Sequence, residues 1–395
     1  MKKLVQGRME NRKLILSLSG EIDSSNAEQI EKQILGIRDG GPCDTVELNC
    51  DQLQYVSSAG LRVILRLIQD TPRTVMNNVH SELYEILDMT GFTEMAEVHK
   101  AYRVISVEGC EVIGQGANGT IYRIGPDTIV KVYLNPEALQ EIHRGRELAR
   151  MAFIAGVPTA IPYDVVRIEG GGYGSVFELL DADSFASLLI SGKKTPDEVA
   201  KMSIDLLKII HSKEVRSPIL RDARDTAAGW ADYSKECLGP ELYGKFRALT
   251  EVVPKETHLM HGDFHLKNIM VQNGENLIID MDTLCYGHPV FELSNMYNAY
   301  VGHGMTNPET IMKFLGIPME ITQPFWRRSL ELYLGTENAK AVDEVENKVK
   351  VISMVRMIRH EVRRDGLNRE DGRKKIEKCR EQLAELLPRV DSLTF

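Results

Sequence analysis

The sequence predicts two domains of mixed class: a layered α/β domain over residues 1–104, then an α+β domain with a strand-rich lobe over 105–180 and a mostly helical lobe over 181–395. Three observations carry this. Strand-like alternation and helix-like spacing take turns through the first hundred residues. The pattern then resets near Val104–Gly109, where a new strand leads into a glycine loop. The chain ends in amphipathic helical sequence, with Val351, Met354, Met357 and Ile358 on one face and KKIEKCREQLAELL as a last helix.

In the first domain, Leu14, Leu16 and Leu18 alternate onto one face of a strand that ends at Gly20-Glu21. Asp23, Ser24 and Ser25 offer caps to a helix with the apolar stripe Ile30, Ile34 and Ile37, and Gly40-Gly41-Pro42 breaks it. Val46, Leu48 and Cys50 mark a second strand, and Leu61, Ile64, Leu65 and Ile68 a second helix. After Asp70-Thr71-Pro72 the pattern predicts a short strand and then a helix near 81–89.

The bulk composition narrows the function classes. The chain has 395 residues, 43% of them hydrophobic and 27% charged, as expected of soluble protein. A net charge of -9 argues against a general nucleic-acid binder, because phosphate backbones are held by clustered Lys and Arg. No apolar run approaches the roughly 18 residues of a membrane span, and the N-terminus reads as a strand, not a signal peptide. Cys43, Cys50, Cys110, Cys237, Cys285 and Cys379 form no CxxC pair and read as free thiols. The expectation is a cytoplasmic protein with neither nucleic-acid nor membrane partners.

The segments LSLSGEIDSSNA at 16–27 and LQYVSSAGLRVIL at 53–65 resemble the STAS domain of anti-sigma-factor antagonists, over roughly residues 5–105. The resemblance implies regulation by, or docking to, a protein partner. In that family a serine just before a Gly-Leu pair can be phosphorylated. Here Ala59 precedes Gly60-Leu61, with Ser58 and Ser57 one and two places earlier, so the switch does not carry across directly. The plainer expectation is that both serines cap the helix beginning near Gly60.

The second domain opens with Gly114-Gln115-Gly116-Ala117-Asn118-Gly119 between two strand-like runs. Glycines let a backbone fold over phosphates and present its amide donors. The strand-turn-strand setting favours a kinase-type lid over a dinucleotide-binding crossover. The next strand carries Lys131 in TIVKVY, and Glu147 in the following helix is expected to orient it toward phosphates, with Glu141 as rival. Gly174–Leu180 reads as a strand leaving the small lobe, where Glu178 and Leu179 mark the stretch of backbone expected to meet an adenine edge.

The densest motif is HGDFHLKNIMV at 261–271. Asp263 suits the carboxylate that accepts a hydroxyl proton, and Asn268, five positions on, suits magnesium ligation. Asn273-Gly274 turns the chain into LIIDMD, whose strand delivers Asp280 as a second metal ligand. A metal loop made of His261, Asp263 and His265 is the competing reading; it leaves the glycine loop, Lys131, Asn268 and Asp280 unexplained.

His261, Gly262, Asp263, His265 and Asn268 match the HGDxHxxN motif of the aminoglycoside phosphotransferase and choline kinase group, which has a protein-kinase-like fold. The resemblance spans roughly residues 108–300, with Glu292 where an Asp is usual. It implies ATP and Mg2+ as cofactors and transfer of the γ-phosphoryl group to a hydroxyl. Little sequence separates Asp280 from the helical FELSNMYNAY, and Gly262 replaces the arginine of an HRD loop, so a small-molecule acceptor is expected over a protein. Asp232, Glu331 and Glu337 are acids that could meet a cationic substrate. Two other readings compete: a signalling or scaffold protein whose kinase fold only binds nucleotide, and a protein kinase acting on serine.

Overall fold

A computed structural model describes residues 4–38, 41–116 and 118–395; Gly40 of the expected helix break and Ala117 of the glycine loop lie outside them. The chain divides into two units. One comprises residues 1–106 with 165–171, the other 107–164 with 172–395.

The first unit is built on a five-stranded sheet of Val5–Glu10, Lys13–Ile22, Thr45–Val56, Arg73–Val79 and Glu97–Lys100, in that order. The first pair is antiparallel and the others are parallel. Leu14, Leu16, Leu18, Val46, Leu48 and Cys50 are buried, and Ile30 and Ile34 from the helix Ala27–Arg38 close over them. The helix Ser58–Gln69 buries Val63, Ile64 and Leu67. Leu61, Leu65 and Ile68 flank this stripe and are only partly buried, a rotation from the expected face. Ser57 alone caps this helix, its Oγ accepting from the N–H of Ala59 at 3.2 Å and Gly60 at 3.5 Å. Ser58 is the first helical residue and is exposed. A short strand, Arg103–Ile105, pairs in parallel with Val166–Ile168, which brings a later piece of chain into this unit.

The second unit begins with antiparallel strands Glu111–Gln115, Gly119–Gly125, Thr128–Tyr133 and Tyr173–Glu178, the last pairing with Thr128–Tyr133. The helix Leu139–Ile154 follows the third of them. The remainder is mainly helical, including Ala223–Tyr233, Val290–Tyr300, Met319–Leu334 and Ala339–Arg363. Val351, Met354, Met357 and Ile358 are buried as their spacing predicts. Two small sheets hold the loops of interest: Asp183–Ser184 with Ile269–Gln272 and Glu275–Ile278, and Arg221–Asp222 with Cys285–Tyr286 and Leu259–Met260. No helix among the described residues is long and apolar enough to cross a membrane.

Candidate active site

The loop between Leu259–Met260 and Ile269–Gln272 carries the HGDFH motif, and its shape follows from buried hydrogen bonds. Gly262 has φ +82°, and a Cβ there would collide with the Thr283 carbonyl, so only glycine fits. The fully buried His261 accepts at Nδ1 from the Asp263 N–H at 3.3 Å, which leaves its Nε2 to donate to the Ile279 carbonyl at 3.0 Å. Both ring nitrogens are thereby committed to main chain, which removes His261 from any metal-ligand set.

Glu292, also fully buried, accepts the Gly262 N–H at 2.9 and 3.1 Å and the Phe264 N–H at 3.4 Å. Burial pushes its carboxyl up, while His261 and these N–H groups pull the other way. Asn295, one turn on, donates to the Gly262 carbonyl at 2.8 Å. The helix Val290–Tyr300 thus grips the loop through two side chains.

Asp263 is left at the loop's surface with its side chain 45% exposed and 3.4 Å from His265 Nε2. Burial opposes its charge, but His265, Arg356 and His261 together hold the carboxyl well below the usual range. A carboxylate that stays ionised and reachable can accept a proton from a bound hydroxyl. Asn268 donates its Nδ2 to the Asp263 carbonyl at 3.0 Å, which fixes its Oδ1 as an acceptor. The Asn268 carbonyl accepts the Ile279 N–H at 2.8 Å, joining this end of the loop to the strand that leads to Asp280. That strand arrives through the predicted Asn273-Gly274 turn, both residues at positive φ (51° and 84°).

Asp280 has φ 66° and opens the short 3-10 turn Met281–Thr283. Lys131 Nζ lies 2.9 Å from Asp280 Oδ1 and 2.9 Å from Asp282 Oδ2, with its own side chain 14% exposed. Burial opposes the lysine's charge, yet the two carboxylates raise its pKa above normal. Of the pair, Asp280 is pulled down by Lys131 against burial, and Asp282 is pushed up by burial and by Asp280. Hard oxygen donors of this kind suit a magnesium ion that keeps water and phosphate as its other ligands. Asp280 and Asn268 Oδ1 are the groups that could hold one. At the glycine loop the strands Glu111–Gln115 and Gly119–Gly125 pair antiparallel, with the Gly116 N–H donating to the Gly119 carbonyl at 2.9 Å and Gly114 in the first strand.

Two expectations are corrected. Glu147 does not pair with Lys131: the buried face of its helix runs through Ile142, Gly145, Leu148, Ala149 and Ala152, and Glu147 points away, 56% exposed and 3.7 Å from Arg150. Glu141 is exposed as well. On the buried face of that helix Gly145 meets the Asp282 carboxylate, which fills the space beside it so closely that a methyl group on Gly145 would overlap it. Asp282 therefore supplies the second anion from the strand side. Its mark in the sequence was the second acid of IDMD, unassigned there because a glycine on a helix gives no sign of what it makes room for. The second correction concerns Leu179, whose N–H donates to the Asp127 carbonyl at 3.0 Å and is not free for a nucleobase; the exposed Glu178 ends the strand at this place.

Residues 109–309 match the family described as phosphotransferase enzymes, and the chain belongs to that family. Residues 4–104 match the STAS domain. The chain is 35% identical over 89 residues to BtrV of Bordetella bronchiseptica, named as an anti-sigma factor antagonist, the match covering 22% of this chain and 76% of BtrV. The ADP-bound crystal structure of aminoglycoside phosphotransferase APH(2'')-Ib is 15% identical, with a TM-score of 0.50 over 78% of this chain and 99% of that one, a likeness of fold. The streptomycin–ATP ternary complex of APH(2'')-IIa is 15% identical, with a TM-score of 0.48 over 78% and 98% of the two chains.

Proposed function

We propose that the second unit transfers the γ-phosphoryl group of ATP, with magnesium, to a hydroxyl of a small molecule. The observation that carries this reading is the convergence of Asp263, Asn268, Asp280 and Lys131, from three separate stretches, on one hydrogen-bonded framework. Asp263 accepts the hydroxyl proton. Lys131 exchanges its carboxylate partners for phosphate oxygens, and the glycine hairpin covers the phosphates with its amides. Magnesium, when held by Asp280 and Asn268, would neutralise charge on the phosphate chain.

A small acceptor is supported by how little chain follows Asp280. One 3-10 turn and the strand Cys285–Tyr286 intervene before the helix at Val290, leaving no segment to shape a peptide groove. The STAS unit is read as a docking or regulatory module for a protein partner, and the exposed Ser58 is its accessible hydroxyl at the helix start. Six free cysteines fit a reducing, cytoplasmic setting.

Asp263→Ala is expected to abolish phosphoryl transfer while a nucleotide analogue still binds, read by ADP release and by calorimetric titration. Near-normal turnover in this variant would refute the assignment of the base.

A further inference from the structure

The helix Ala339–Arg363 packs on the helix Val290–Tyr300 that holds the HGDFH loop, Ser353 donating to the Ser294 carbonyl at 3.1 Å, and it carries cations whose charge is felt at Asp263. Arg356, on the helix Ala339–Arg363, lies with its guanidinium 5.4 Å from the ring centre of Trp230 on the helix Ala223–Tyr233. One turn along, Arg359 stands 6.0 Å from the ring of Tyr233. His360 meets His303 with ring centres 5.6 Å apart. Close by, the buried Asn298 has neither amide atom in a hydrogen bond, and a Cβ on Gly302 would touch both it and Met357, the neighbour of Arg356.

Among the described residues, neither Arg356 nor Arg359 makes a hydrogen bond or an ion pair with a carboxylate. Burial opposes the charge on Arg356, and Asp263 and Glu292 offset this only through space. Both acids have closer partners: Glu292 holds the Gly262 and Phe264 N–H groups, and Asp263 faces His265. A guanidinium serving as their counter-ion would turn its N–H fork onto a carboxylate. This one packs beside an indole and leaves the fork open. Holding a half-buried cation without a bonded partner costs stability, so the arrangement makes sense when a ligand anion completes it.

The acids that could have met a cationic substrate are occupied. Asp232 accepts from Tyr243 at 2.9 Å, and Glu331 and Glu337 pair with Arg328 at 3.3 and 2.8 Å.

We propose that Arg356, supported by Arg359, binds an anionic group on the acceptor, making the substrate a small hydroxylated molecule that bears a phosphate or a carboxylate. This rests on the phosphotransferase reading above. The acceptor hydroxyl gives its proton to Asp263, its oxygen bonds the γ-phosphorus, and the bond to the bridging oxygen breaks with its electron pair leaving on ADP.

The test separates binding from turnover. Full-length protein is titrated with glycerol 3-phosphate, glycerate, choline and kanamycin while tryptophan fluorescence is followed, and Trp230→Phe identifies the signal from beneath Arg356. Glycerol 3-phosphate or glycerate should give a saturable change that is lost in Trp230→Phe, and the comparison of the two tells phosphate from carboxylate. Arg356→Gln should weaken that binding about tenfold or more, as expected for one charge-assisted contact, with Arg356→Lys intermediate. A Trp230-dependent response to choline or kanamycin alone, or to none of the four, overturns the proposal, as does unchanged affinity in a folded Arg356→Gln. ATP-analogue binding is measured in parallel, and its absence would count against the phosphotransferase reading instead.

Discussion

Gly145 shows how a residue without a side chain can decide a charge arrangement. Its bare backbone admits the Asp282 carboxylate, so that Lys131 is clasped by two acids from the strand side and by none from the helix. Gly145→Ala should leave the helix at least as stable, since alanine is the better helix former by roughly 0.5–1 kcal/mol. The added methyl would displace Asp282 and loosen the lysine. We expect nucleotide affinity to fall about tenfold, the loss of one charge-assisted bond. Calorimetric titration with a non-hydrolysable ATP analogue checks this, and wild-type affinity together with wild-type melting would dismiss the steric role of Gly145.

At the scale of elements, the HGDFH loop owes its form to the helix that follows it. Glu292 and Asn295 sit one turn apart on Val290–Tyr300 and hold Gly262 from its N–H and carbonyl sides. Glu292→Gln keeps the volume but turns an amide NH2 toward backbone donors. The loop should shift by a fraction of an ångström to about 1 Å, enough to cost on the order of 10²-fold in kcat. Nucleotide affinity, set mainly around Lys131 and Asp280, should change little. Steady-state kinetics beside nucleotide titration tests the split, and a wild-type kcat would argue that the loop holds itself.

These elements also show what the sequence made legible. Alternation and helical spacing located the strands at Leu14 and Val46 and the helix at 81–89, because burial enforces those periods. The places of Asp263, Asn268, Lys131 and Asp280 were legible since each lies in or beside a strand or loop whose pattern shows in the sequence, and their roles are those proposed above. The partner of Lys131 was misplaced because Glu147 and Gly145 lie two positions apart on one helix. Helical spacing without a known packing direction does not say which of them turns inward. Arg356 gave no signal in the sequence, being one arginine among several on a long helix. Its meaning comes from Trp230, more than a hundred positions away.

For the molecule as a whole, the division into units does not follow the order of the chain. The first unit recruits Val165–Gly171, and Val165, Val166 and Ile168 are buried. A chain starting at residue 107 would lack the strand Arg103–Ile105 that pairs with Val166–Ile168. It is expected to be less soluble and to melt lower than one starting at residue 102, although both retain every residue of the proposed active site. Differential scanning calorimetry of the two shortened proteins decides this, and equal melting would mean the strand pair contributes nothing.

That parallel pair also bears on how the protein is made. During synthesis the sheet of the first unit can assemble as soon as its five strands have emerged. The partner of Arg103–Ile105 arrives only after the glycine hairpin and the lysine strand have been translated. The last piece of the N-terminal unit therefore waits for part of the catalytic unit to exist, so a ribosome that stalls between the two modules releases a product with an unmatched edge, open to chance partners.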